Sequence, residues 1–174
     1  MAYLTSDAHV GRSLDRYGEW AEAEVELLSA FVKPGDVVVD VGANIGTHAV
    51  PLAAKVGPTG MVLAFEPQRL VHALLTSNLI TNGHGHARAV NAAVGASPGS
   101  LLVPPIDYGQ PGNFGGVALA AAAQGEPVDV LPLDAPGLDR LTLLKVDVEG
   151  MEAQVLAGAA QTLGRCQPVV YLEH

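Results

Sequence analysis

The stretch VVVDVGANIGTHAV, residues 37–50, decides the fold. VVVDV is a short β-branched run, apolar apart from Asp40, as expected of a strand buried on both faces. Gly42-Ala43-Asn44-Ile45-Gly46 is a glycine-rich turn, and from Thr47 a helix opens in which Pro51 must fall in the first turn. Strand, glycine turn and helix start together form the arrangement that cradles nucleotide cofactors. A dinucleotide fingerprint, G-x-G-x-x-G, needs its second glycine so that the backbone can press against a pyrophosphate. Asn44 stands at that place, so close phosphate approach is not the purpose of this turn. Asn44 tolerates an unusual turn conformation and brings an amide. Asp40, at the strand end, offers a carboxylate to a ligand's ammonium.

Outward from this turn the chain alternates helix and strand. Upstream, GEWAEAEVELLSAFVKPGD carries Trp20, Val25, Leu27, Leu28, Phe31 and Val32 at roughly helical spacing, and Pro34-Gly35 stops it. Downstream, MVLAFEP reads as a second buried strand and QRLVHALLTSNLITNG as an amphipathic helix closed by Asn82-Gly83. ARAVNAAVG follows as a third strand. Residues 96–127, rich in Gly and Pro, read as a loop or hairpin excursion, after which Val128, Val130 and Leu131 add a strand piece weakened by Pro132. LTLLKVDVEG is a strand turning into the helix MEAQVLAGAAQTLG, and PVVYLEH is a last strand. The alternation argues for an α/β fold, a doubly wound and mainly parallel sheet with helical crossovers. No internal repeat is visible.

The composition narrows the class. A chain of 174 residues suits one domain with a real core, and 49% hydrophobic against 16% charged residues marks it as globular. With Lys plus Arg at 9 against 18 Asp plus Glu, the net charge is −9, which leaves no electrostatic footprint for nucleic acid. The single Cys166 excludes an intrachain disulfide and a cysteine-based zinc site. The polar N-terminus lacks a signal-peptide core, and each apolar run is interrupted before it could span a bilayer. The expectation is a soluble, cytoplasmic protein with no membrane partner.

Three acidic positions carry the chemistry. Glu66 ends the second strand at a distance beyond the turn that suits a carboxylate accepting from the two hydroxyls of a ribose, whichever adenosine cofactor is bound. S-adenosylmethionine has no pyrophosphate, so it suits the Asn44 turn. In KVDVEG, Asp147 and Glu149 are two apart and share a face if the strand stays extended. Ligands of a doubly wound sheet bind beyond the carboxyl ends of the strands, and two carboxylates there are expensive to bury without a purpose. A plainer role for Glu149 is to cap the helix beginning near Gly150. His84-Gly85-His86 follows a helix end and reads as a solvated loop. An NAD-dependent oxidoreductase would need the missing glycine and a catalytic Tyr-Lys or His partner, and a cofactor-binding module without catalysis is a further alternative.

DVGANIGTHAVPLA, FEP, LKVDVEGMEAQVLAGA and PVVYLEH, with the upstream YGEWAEAEVELL, resemble the FkbM-type family of S-adenosylmethionine-dependent methyltransferases over about residues 17–174. The resemblance implies the class I methyltransferase sheet, residues 1–34 serving as a lead-in helix and 35–174 as the cofactor-binding core of a single domain. It implies Asp40, Gly42, Asn44 and Gly46 as the cofactor loop, Glu66 on the ribose, and Asn91 and Ala92 beside the adenine. Glu19, Thr47 and His48 would line the methionine end. Asp147 and Glu149 would face the transferred methyl, with Asp147 orienting or deprotonating the acceptor and His174 assisting. The implied acceptor is a hydroxyl of a small molecule or sugar. No metal is assigned, although Asp147, Glu149 and His174 could converge on a hard cation. Asn113, Gly115 and Gly116 would form a lip over the acceptor. The family sheet normally has seven strands, so the expectation is a sheet lacking its last two, whose open PVVYL edge invites a homodimer.

Overall fold

The computed structural model describes residues 1–119 and 123–173. Two short helices open the chain, α1 (Val10–Tyr17) and α2 (Glu22–Ala30). There follow β1 (Val37–Val41), α3 (Ala49–Val56), β2 (Met61–Phe65), α4 (Arg69–Thr81), β3 (Ala87–Val90), β4 (Ala93–Val94) and β5 (Gly99–Val103). The chain ends with β6 (Glu126–Leu131), β7 (Leu143–Val146), α5 (Glu152–Ala157), α6 (Ala160–Cys166) and β8 (Val169–Leu172). Five strands form an all-parallel sheet in the order β3-β2-β1-β7-β8, and β4, β6 and β5 form a separate three-stranded sheet.

The period-two alternation of the strands sorts the core into two layers. Val38 of β1, Val62 and Ala64 of β2 and Leu143 of β7 pack with Leu28, Leu52, Leu75 and Leu79 from α2, α3 and α4. Val37, Val39 and Val41, with Leu144 and Val146, face Val155 and Ala159 of the α5–α6 side. Pro51 sits in the first turn of α3, where its missing N–H costs nothing. Gly83, in a left-handed conformation, follows the end of α4 as its Asn-Gly pair foretells.

Several elements differ from the sequence expectation. The N-terminus, read as merely polar, contains α1, and α2 starts after Trp20 rather than at Gly18. ARAVNAAVG is divided between two sheets: Ala92 N–H bonds to the Val90 carbonyl, which turns the chain out of the main sheet before β4. The excursion 96–127 does carry a hairpin-like pair, β5 antiparallel to β6, and β6 tolerates Pro127 near its start, where Leu102 is its partner. The helix expected over MEAQVLAGAAQTLG breaks at Gly158. A Cβ there would lie 2.0 Å from the Gly95 carbonyl oxygen, so this close approach to the β4 end requires glycine.

Candidate functional site

One row of residues across the main sheet sets up the site. β1 and β7 are in register at Asp40↔Lys145, and β7 and β8 at Lys145↔Tyr171, so the three side chains lie side by side on the face covered by α2 and α3. Asp40 is fully buried and Lys145 is 1% exposed, with the ammonium 3.4 Å from Asp40 Oδ1. Lys145 Nζ also donates to Asp147 Oδ2 at 3.3 Å. Burial alone would lower the lysine pKa, but the carboxylates of Asp40 and Asp147 outweigh it and hold the pKa above its ordinary value. The two oxygens of Asp40 meet no hydrogen-bond donor in bonding geometry among the described residues, so the adjacent ammonium is what balances this buried charge.

Over the same row lies a second chain of contacts. Tyr171 donates its hydroxyl to Glu24 Oε1, and the other oxygen, Glu24 Oε2, is 3.0 Å from His48 Nε2. The tyrosine pKa is pushed up to about 12, chiefly by that bond to Glu24. Burial and the Lys145 ammonium lower the His48 pKa, against the opposing pull of Asp40 and Glu24, so the imidazole is neutral at neutral pH. Glu173 follows β8 and is held above the usual carboxylate range by burial, Asp147 and Glu24.

Glu66 occupies the end of β2, 4% exposed. Its Oε2 accepts from the Asn44 backbone N–H and its Oε1 from that of Gln68, both at 2.9 Å. Burial raises its pKa to about 7, against those two donors. Gln68 extends the contact upward: its side chain donates to the Phe114 carbonyl at 2.7 Å and accepts from the Tyr108 hydroxyl at 2.9 Å. This anchors the GNFGG segment, which the N-terminus ties down again through Ala8 N–H to Gly112 O.

These elements enclose a cavity of about 370 Å³ at the carboxyl ends of β1, β2 and β7. Of the residues singled out in the sequence, Gly42, Asn44, Thr47, His48, Glu66, Ala92, Asp147 and Glu149 line it, as do Asn113, Gly115 and Gly116. Others do not reach it. Asp40 lies beneath the floor, already paired with Lys145 instead of awaiting a ligand's ammonium. Gly46 faces the core, where a Cβ would lie 2.9 Å from Leu75 Cδ1. Asn91 is turned outward and donates to the carbonyls of Glu66 and Pro67. Glu19 is exposed before α2, its carbonyl taking the Ser13 hydroxyl. His174 lies outside the described residues.

Three local expectations are corrected. β7 ends at Val146, and Glu149 has a left-handed backbone, φ 47°, so Asp147 and Glu149 do not share a strand face. Asp147 is met instead by the Lys145 ammonium at the strand end. Glu149 also does not cap the following helix, whose N-cap is Met151. His86 is not free in a loop: its ring Nε2 meets the Ala53 carbonyl at 2.8 Å. Among the described residues no group of three or more His, Cys, Asp or Glu side chains is placed to hold a metal ion. The sequence reading missed Lys145, Glu24, Gln68 and Glu173. Only Lys145 had a visible signal, a cation inside an apolar strand, which demands a buried partner.

The comparisons agree with this architecture. Residues 40–174 match the family model described as the methyltransferase FkbM domain. The methyltransferase sdnD of Sordaria araneosa is 32% identical over 157 residues, covering 70% of this chain and 59% of that protein. The hexuronic acid methyltransferase AglP of Haloferax volcanii is 29% identical over 165 residues, covering 92% and 64%. This chain thus spans about three fifths of the length of those relatives. Among solved structures, methyltransferase FkbM from Methylobacillus flagellatus superposes with a TM-score of 0.57 at 20% identity, over 86% of this chain and 40% of that one. A SAM-dependent methyltransferase from Aquifex aeolicus gives 0.50 at 15% identity, over 92% and 69%, a likeness of fold. The chain belongs to the FkbM methyltransferase domain family, whose cofactor is S-adenosylmethionine.

Proposed function

We propose that this chain binds S-adenosylmethionine in the cavity above β1, β2 and β7 and transfers its methyl group to a hydroxyl oxygen of a small molecule or sugar. The observation that carries this reading is the charge of the cavity. Glu24, Glu66, Asp147, Glu149 and Glu173 line it together with a single ammonium, Lys145, which is already paired. Such a donor set fits a cationic ligand bearing hydroxyls. Phe65, Ala92 and Val94 supply apolar wall for a flat ring.

S-adenosylmethionine supplies an electrophilic methyl on a sulfonium. The residues of this chain hold and orient. Glu66 keeps lone pairs free on both oxygens beyond the two backbone N–H bonds and accepts from a ribose diol. Asn44, at φ 49°, carries the turn round the ligand without a second glycine. Asp147, steadied by Lys145, accepts from the acceptor hydroxyl and fixes its direction, and Glu149 closes the same end. The GNFGG segment covers the mouth and excludes water. That the relative AglP acts on hexuronic acid supports a sugar as the acceptor.

Calorimetric titration with S-adenosylmethionine, with NAD as control, tests the reading. Saturable binding of S-adenosylmethionine alone is expected, weakened about tenfold or more by Glu66→Ala, because charged hydrogen bonds contribute ~1.5–3 kcal/mol each. A folded chain that binds neither compound would overturn it.

A further inference from the structure

Beside the cavity lies a second hollow, of about 280 Å³, formed by α1 and the segment leading into α2. Its lining is unlike that of the cavity. Arg12 and Arg16 stand one helical turn apart on the same face of α1, with His9, Ser13, Tyr17 and Trp20 around them. His9 and Trp20 line both spaces, so the hollow adjoins the cavity. The chain carries twice as many acidic as basic side chains. Yet the ion pairs among the described residues are made by His48, Arg69 and Lys145, and neither arginine of α1 takes part in one. Asp15, the acid of the same helix, accepts instead from the Tyr3 hydroxyl at 3.1 Å. Tyr17 is 71% exposed, so its ring stands open to solvent at this hollow.

We propose that this hollow holds an anionic group, a carboxylate or a phosphate, on the methyl acceptor, so that the acceptor class is an acidic hydroxyl compound such as an acidic sugar. The inference rests on the methyltransferase reading and deepens it. The acidic lining of the cavity repels an anion, so an acidic acceptor can present its hydroxyl to Asp147 only if its charge is held outside. Arg12 and Arg16 supply that hold at the rim. A guanidinium meets a carboxylate or phosphate in a forked pair of hydrogen bonds. Tyr17 and Trp20 offer ring faces with a polar edge, which suits the alternating C–H and O–H surface of a sugar. The opposite charges of cavity and rim thus orient the acceptor, hydroxyl inward and anion outward.

The test uses the full chain labelled with nitrogen-15 and titrates three probes: methyl β-D-glucuronide, glucose 6-phosphate and methyl β-D-glucoside. S-adenosylmethionine binding is measured on the same preparations by calorimetry. At least one acidic sugar should shift the backbone amides of Arg12–Tyr17 saturably and bind about tenfold or more tighter than the neutral glucoside. The Arg12→Ala/Arg16→Ala double variant, both sites being exposed, should keep its melting temperature and its S-adenosylmethionine affinity but lose that margin. Preference for the glucuronide identifies a carboxylate, and preference for glucose 6-phosphate a phosphate. Equal binding of acidic and neutral sugars, no shift in α1, or a margin that survives the double variant would overturn the inference while S-adenosylmethionine binding stands. Sugar binding without S-adenosylmethionine binding would instead overturn the methyltransferase reading, and the acceptor role of the hollow with it.

Discussion

Glu66 shows how a single side chain can tie down the backbone and line a cavity at once. It is buried and tied to two backbone N–H groups, yet its pKa is raised to about 7 because burial penalises the charged form more than the donors favour it. In the unfolded chain it ionises near the ordinary 4.5. The folded state therefore holds a proton that the unfolded state has already released between these two values. Stability from this group is fully present below about 4.5 and is lost as the pH rises through about 7, by ~3 kcal/mol in total. Urea unfolding of the wild type and of Glu66→Gln should show it. The cost of losing one accepted hydrogen bond is the same at every pH, so the stability of the wild type relative to the variant should fall across that window. A difference that stays flat from pH 4.5 to 8 would mean that Glu66 ionises as an ordinary carboxyl. Asp40 was legible as a site-end acid, but its duty was not. Which cation lies beside it depends on the register of β7, 105 residues further along the chain.

At the scale of elements, the glycine turn between β1 and α3 is where sequence and packing meet. Gly42 has φ 79°, and a Cβ built there would lie 1.8 Å from the Asp147 carbonyl oxygen. The turn must therefore pass against the end of β7, and only glycine permits both the dihedral and the approach. Gly42→Ala is expected to lower stability by ~2 kcal/mol or more, since strain at a left-handed position and the steric overlap add. It should also weaken S-adenosylmethionine binding, because relief of the clash moves Asp147 away from the cavity floor. A variant with unchanged urea midpoint and affinity would show that β7 can yield there at no cost. The strands, the turn and α4 were readable because their signals are local: β-branched runs, Gly-Pro stops and the Asn-Gly end. The division of ARAVNAAVG between two sheets was not. Its apolar pattern is continuous, and only pairing with β6 draws Ala93 and Val94 into the second sheet. The GNFGG segment followed the same rule. Its position over the cavity rests on Gln68 meeting Phe114, 46 residues away.

Across the whole molecule, the parallel sheet ends at β8, where Val169, Val170 and Leu172 are each more than a third exposed. An apolar strand with one free row of backbone donors and acceptors is a template for another strand. The chain on its own is expected to associate through this edge, and Val170→Lys to shift it toward the monomer, as read by sedimentation over a range of concentrations. A wild type that stays monomeric at high concentration would overturn that expectation. Among the described residues no helix is long and apolar enough to cross a membrane. The N-terminal helices complete the site instead of merely preceding it: α2 contributes Glu24 to the cavity, and α1 forms the adjoining hollow. A lead-in region read as one helix thus supplies part of the cavity lining.

What the sequence by itself determined is what short-range physics encodes. The buried strands, the glycine turn with Asn44 in place of a second glycine, the alternation that makes a parallel α/β sheet, and the acids Glu66 and Asp147 all follow from residue types at fixed local spacings. The tertiary structure decided which charges meet. Asp40 with Lys145, and Glu24 with both Tyr171 and His48, are brought together by strand register and helix packing across 24 to 147 residues of chain. A charged side chain does not announce its partner in the sequence; the low dielectric of the folded interior enforces the pairing only once the strands have aligned.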